Sequence, residues 1–107
     1  MILGVPKEIK DDEYRVSMTP AGVHDLVVEG HTVLVEDGAG EGSGLPNQLY
    51  LEHGAQIADR NDIFSRSEMI IKVKEPLPEE FDLLREGQIL YTYLHLAPAP
   101  DLTRALL

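Results

Sequence analysis

The chain has 107 residues, enough for one compact domain, with an apolar share of 43% and a charged share of 26%. A formal charge of −10 argues against a nucleic-acid or anionic-membrane surface, both of which require clustered Lys and Arg. The absence of cysteine excludes disulfides and thiolate metal sites, and no apolar run approaches the ~20 residues of a membrane span. In chain order, Met1–Val5 is an apolar run ended by Pro6 and reads as a buried strand, without the length or flanks of a signal peptide. Lys7–Thr19 is polar and irregular. Thr19-Pro20 joins a hydroxyl cap to a first-turn proline, so a helix starts there; Val23, Leu26 and Val27 mark its apolar face and Gly30 ends it.

Thr32–Val35 is a β-branched strand, followed by the glycine-rich stretch Asp37–Pro46. Asn47–His53 predicts a helix stopped by Gly54, Ala55–Ala58 a short strand, and Asn61–Ser65 a short helix. Met69–Val73 is the next strand. Glu75-Pro76-Leu77-Pro78 delays the following helix to Glu79–Arg85, which Gly87 closes, and Gln88–His95 is the fifth strand. Pro98–Leu107 opens a further helix with apolar residues at Leu102, Leu106 and Leu107. The chain stops there without a cap or polar tail, which predicts the N-terminal part of a longer polypeptide.

Strands alternating with helices define an α/β domain with a mainly parallel sheet flanked by helices, a three-layer architecture of the flavodoxin-like or Rossmann-like kind. In such a sheet, ligands bind beyond the carboxyl ends of the strands. Arg15, Lys74 and His95 all follow or end strands and can converge on one rim. The fork of Arg15 suits a carboxylate, Lys74 suits a carbonyl or a second carboxylate oxygen, and His95 is of the one side-chain type whose unperturbed pKa suits acid–base work near neutrality. Together they suit a small 2-oxo acid. Each residue also has a plainer reading. Arg15 can pair with Asp11, Asp12 or Glu13; Lys72 competes with Lys74; His95 can be a core histidine. Tyr93 falls on the same side as His95 in a regular strand and is a fourth candidate for substrate contact, with packing as its alternative, as for Tyr91. His24, His31 and His53 have no ligand-like spacing, so no metal site is expected.

The stretch GAGEGSG approximates a dinucleotide fingerprint, but Ser43 stands at its last glycine position and Leu45-Pro46 separates it from the next helix. It reads instead as a mobile turn through which backbone approaches another element.

The segments GVPKEIKDDEYRVSMTPAGV, GHTVLVEDGAGEGSG, IIKVKEPLPEE and ILYTYLHLAP resemble the N-terminal region of the family shared by alanine dehydrogenases and nicotinamide nucleotide transhydrogenases. The resemblance covers nearly the whole chain. It implies that residues 1–107 are the N-terminal segment of a substrate-binding domain, with an NAD-binding Rossmann domain expected downstream. It also implies Arg15 and Lys74 on the substrate carboxylate and carbonyl, with His95 as acid–base partner, and so favours Lys74 over Lys72. The implied substrates are L-alanine, or pyruvate and ammonia, with NAD as cofactor in a cytoplasmic homo-oligomer, commonly a hexamer. Regions matching KVKEP and YLHLA in transhydrogenases lack the lysine–histidine pair, so the dehydrogenase branch is preferred. A transhydrogenase NAD-binding subunit and a non-catalytic ligand or interaction module are the alternatives. The 107 residues alone are expected to be inactive.

Overall fold

Short apolar strands and the helices between them resolve, in a computed structural model describing residues 1–9, 15–74 and 76–92, into one parallel sheet. Strands β1 (Ile2–Val5), β2 (Thr32–Glu36), β3 (Gln56–Ala58), β4 (Met69–Ile71) and β5 (Ile89–Tyr91) lie in the order β3-β2-β1-β4-β5. Ile2 pairs with Thr32, Leu3 with Met69, Leu34 with Gln56, and Met69 with Ile89, all in parallel register. Helices α1 (Pro20–Val28), α2 (Asn47–Glu52), α3 (Arg60–Arg66) and α4 (Pro78–Phe81) connect the strands. This strand order is the Rossmann-like one rather than the flavodoxin-like one.

Alternation across the strands sorts the core into two layers. Leu3, Val5, Val33 and Val35 pack with Val23 of α1 and Tyr50 of α2. Leu34 and Ile70 face the other way, against Ile63 and Phe64 of α3. Tyr50 is fully buried, and its hydroxyl donates to the Met18 carbonyl at 2.7 Å, which satisfies the one polar atom it brings inside. Burial also raises its phenol pKa above the ordinary value. Among the described residues, no helix is long and apolar enough to cross a membrane.

Most predicted elements occur within a residue or two of their expected bounds, because local chemistry sets their ends. Thr19 Oγ1 accepts from the Gly22 N–H at the start of α1, and Asp59 Oδ1 accepts from the Asp62 N–H at the start of α3. Gly30 and Gly54 take left-handed φ values of 97° and 100° just past α1 and α2. Two elements are shorter than predicted. The strand expected over Met69–Val73 ends at Ile71, since the N–H groups of Val73 and Lys74 go to the Glu8 carboxylate instead of a neighbouring strand. The helix expected over Glu79–Arg85 ends at Phe81, after which Arg85 reaches back to the Ser67 carbonyl at 2.6 Å. The far part of the strand expected over Gln88–His95 and the helix expected over Pro98–Leu107 lie outside the described residues.

Gly4 is where α3 comes closest to the sheet. A β-carbon there would collide with Ser67 Oγ and lie 2.9 Å from Ser67 Cβ and 3.0 Å from Ile63 Cγ2. Gly4→Ala is therefore expected to destabilise the fold by about 1–3 kcal/mol through overpacking. A shift of the denaturant unfolding midpoint to lower concentration, with unchanged slope, is the measurement; an unshifted midpoint would show that α3 can move away at no cost.

Candidate functional site at the switch point of the sheet

Because all five strands are parallel, their carboxyl ends share one rim. The chain runs outward from β1 through β2 to β3, then crosses back to β4 and continues to β5, so the order reverses between β1 and β4. Ligands of doubly wound sheets bind in the crevice opened by such a reversal. The segments leading away from this point are Pro6–Ile9 after β1 and Lys72–Lys74 after β4.

A buried ionic network ties these segments together. Glu8 Oε1 accepts from Lys72 Nζ at 3.1 Å and from the Lys74 N–H at 3.2 Å, while Oε2 accepts from the Val73 N–H at 3.0 Å. Lys72 Nζ also lies 3.4 Å from Glu80 Oε2, which accepts from Arg60 Nη1 at 2.9 Å. Arg60 Nη2 continues to Glu36 Oε1 at 3.2 Å and donates to the Lys7 carbonyl at 2.9 Å. Glu80 Oε1 caps α4 by accepting from the Leu77 N–H at 3.0 Å. Glu8, Lys72 and Glu80 are all buried. The network thus joins the loop after β1, the end of β2, the starts of α3 and α4, and the turn after β4. It is a framework for the rim, with every buried charge opposed by another.

Glu36 shows the cost of that arrangement. Burial raises its carboxyl above the ordinary value of 4.5, against the lowering effects of the Lys7 N–H and the charges of Arg60 and Lys7. Between that value and the raised one, folded Glu36 keeps a proton that the unfolded chain has lost. Its titration therefore adds stability that is complete below the unfolded value and is lost as pH rises through the folded one. The unfolding free energy of the parent minus that of Glu36→Gln should fall as pH rises from 4.5, then level off. Denaturant titrations between about pH 4 and pH 8 would check it; a difference that grows with pH would mean the ion pairing outweighs burial.

The residues expected to carry chemistry divide as follows. Lys72 is 4% exposed and committed to Glu8 and Glu80, whereas Lys74 is partly exposed. The strand ends before either, so equal side-chain parity does not apply, and packing separates the rivals. Arg15 is exposed. Ser17, close behind it, donates from Oγ to the Ile71 carbonyl at 2.7 Å, which holds this stretch against the end of β4. On the other side, Thr92 Oγ1 donates to the Lys74 carbonyl at 3.0 Å, tying the end of β5 to the same turn. Tyr93 and His95 lie outside the described residues, as do Asp11, Asp12 and Glu13.

Glu8, Glu36, Arg60 and Glu80 were not singled out by the sequence reading. In a chain with 19 acidic residues, two buried carboxylates and a partly buried third have no compositional signal. The available cue was positional: Glu8 follows the proline that ends the first strand.

The glycine stretch is not a pyrophosphate cradle. A β-carbon on Gly40 would lie 2.5 Å from the Leu45 carbonyl oxygen and 2.7 Å from Tyr50 Cε2, so the chain itself fills the close approach. The Gly38 N–H donates to Asn47 Oδ1 at 3.0 Å, and the Ser43 and Leu45 N–H groups both donate to the Gly40 carbonyl. This is the backbone approach expected there, in a hydrogen-bonded turn rather than a loose one. An open cleft of about 480 Å³ lies elsewhere, on the α1 face of the sheet, lined by residues including Met1, Leu3, Leu26, Met69, Ile71 and Tyr91. Its apolar lining does not suit a small carboxylic acid.

Five parallel strands in the Rossmann-like order, with an ion-paired framework at the switch point, define an α/β domain of the doubly wound class. The chain belongs to the family described as alanine dehydrogenase/PNT, N-terminal domain, whose model matches residues 4–107. It is 58% identical over 108 aligned residues to the alanine dehydrogenase of Methanococcus maripaludis and 56% identical over 107 to that of Bacillus subtilis. These matches cover 100% and 99% of the chain but 29% and 28% of the relatives, so it spans under a third of their length. A solved L-alanine dehydrogenase superposes with a TM-score of 0.96 at 52% identity, covering 99% of the chain and 29% of that structure. The transhydrogenase from Sinorhizobium meliloti superposes with a TM-score of 0.93 at 29% identity, over 99% of the chain and 32% of that structure.

Proposed function

We propose that residues 1–107 are the N-terminal segment of the substrate-binding domain of an NAD-dependent L-alanine dehydrogenase. The reaction is L-alanine, NAD and water to pyruvate, ammonia and NADH, and its reverse. The observation that carries this reading is the high identity to alanine dehydrogenases along the entire chain. Fold alone does not discriminate, since the transhydrogenase superposes almost as well; identity favours the dehydrogenase, at 52% against 29%, and the resemblance at Lys74 and His95 supports the same branch.

In this reading Arg15 grips the substrate carboxylate through its guanidinium fork, and Lys74 donates to the carboxylate or carbonyl oxygen and orients the reacting carbon. His95 moves the proton at that oxygen as the iminium is hydrolysed or formed, with Tyr93 beside it. NAD, which a downstream Rossmann domain would hold, would supply the hydride acceptor. The same reading places the protein in the cytoplasm as a homo-oligomer, a hexamer by family resemblance.

The test is the full-length protein assayed with L-alanine and NAD, and with pyruvate, ammonia and NADH. Amino-acid-dependent NADH formation is expected. Hydride exchange between two nicotinamide nucleotides without amino acid would instead favour the transhydrogenase reading, and neither activity would favour a binding module.

A further inference from the structure

We propose that Glu8 is a positioning residue for Lys74, an inference that rests on the reading of Lys74 as a substrate-binding group. The carboxylate of Glu8 is buried beneath the turn that follows β4, and each of its oxygens serves that turn. Oε2 accepts from the Val73 N–H at 3.0 Å, and Oε1 accepts from the Lys74 N–H at 3.2 Å and from Lys72 Nζ at 3.1 Å. Beyond Lys74, its carbonyl accepts from Thr92 Oγ1 at 3.0 Å. The backbone of Lys74 is therefore held on both sides of its Cα, which fixes the direction in which its side chain leaves the rim.

Stability alone does not account for this arrangement. A buried ion pair is often no more stabilising than apolar side chains of similar volume, so Glu8 and Lys72 are not needed merely to fill the space. Their particular product is geometric. A turn beyond the last strand residue has no ladder to define it, and two successive N–H groups directed at one charged acceptor define it instead. Lys72 supplies the countercharge to this buried acceptor. The two neighbouring lysines have separate tasks: Lys72 holds Glu8, and Glu8 aims Lys74. A supporting group of this kind acts by keeping a binding side chain within a fraction of an ångström of its productive position.

The test is a double-mutant cycle on pyruvate affinity in the full-length enzyme. Binding is titrated calorimetrically in the presence of NAD, to which pyruvate has no hydride to give. Lys74→Ala, Glu8→Gln and the two combined are compared with the parent. Glu8→Gln is expected to weaken pyruvate by about 10–100-fold when Lys74 is present, as a misdirected binding group does. In the Lys74→Ala background it should change affinity by about twofold or less, because the group it positions is gone. Equal losses in both backgrounds would overturn the proposal and leave Glu8 with a general structural role. No loss from Glu8→Gln, while Lys74→Ala weakens binding, would also overturn it and leave the substrate-site reading intact. No loss from Lys74→Ala would remove that reading itself, and the proposal with it. If Glu8→Gln fails to fold, Glu8→Gln combined with Lys72→Met removes both members of the buried pair and carries the same expectation.

Discussion

Lys72→Ala is expected to lower the unfolding free energy by about 3–5 kcal/mol, the usual cost of removing one partner from a buried ionic cluster. The ammonium lies 3.1 Å from Glu8 and 3.4 Å from Glu80, and all three side chains are nearly inaccessible to water. Without it, Glu8 keeps the Val73 and Lys74 N–H groups but loses the countercharge of the Lys72 ammonium. Glu80 fares better, since Arg60 still donates to it at 2.9 Å. The penalty should therefore fall mainly on Glu8, and adding Glu8→Gln to Lys72→Ala should recover part of it. Denaturant unfolding of the three variants measures this. A loss below about 1 kcal/mol for Lys72→Ala, the range of an exposed ion pair, would show that the network is solvated and contributes little.

Lys74→Ala should behave in the opposite way. Its side chain is partly exposed, so the unfolding free energy should change by about 1 kcal/mol or less. Catalysis should suffer instead: in the full-length enzyme, loss of one donor to a substrate oxygen is expected to lower kcat by about 10²–10³-fold. His95→Ala should cost about 10²–10⁴-fold if the imidazole is the acid–base group. Steady-state kinetics with pyruvate, ammonia and NADH, run beside unfolding measurements, separate the two lysines. Near-normal turnover in Lys74→Ala would remove it from the site, and a near-normal kcat in His95→Ala would remove the proton-transfer role from the histidine.

The contrast between these lysines shows how far the sequence could be read. KVK places identical side chains two positions apart at the end of an apolar run, and strand parity assigns both to one face. Family resemblance chose between them; local pattern could not. The structural separation comes from Glu8, which lies 64 positions from Lys72 in sequence yet accepts its proton donor at 3.1 Å. By taking the Val73 and Lys74 N–H groups, Glu8 ends the strand early and breaks the parity on which the rivalry depended. Gly4 is a similar case. It reads as one residue of an apolar strand, and only the approach of Ser67 and Ile63 explains why a side chain would not fit there.

What the sequence determined by itself was local and periodic: the alternating strands and helices, the cap at Thr19, and the stops at Gly30 and Gly54. These follow from hydrogen bonding and backbone preference within a few residues, so they are visible without a fold. The strand order, the reversal between β1 and β4, and the partners of Glu8, Lys72 and Arg60 were decided only by the tertiary structure. Those contacts join residues far apart in the chain, and a carboxylate or ammonium bears no local mark of whether folding will bury it against an opposite charge or leave it in water.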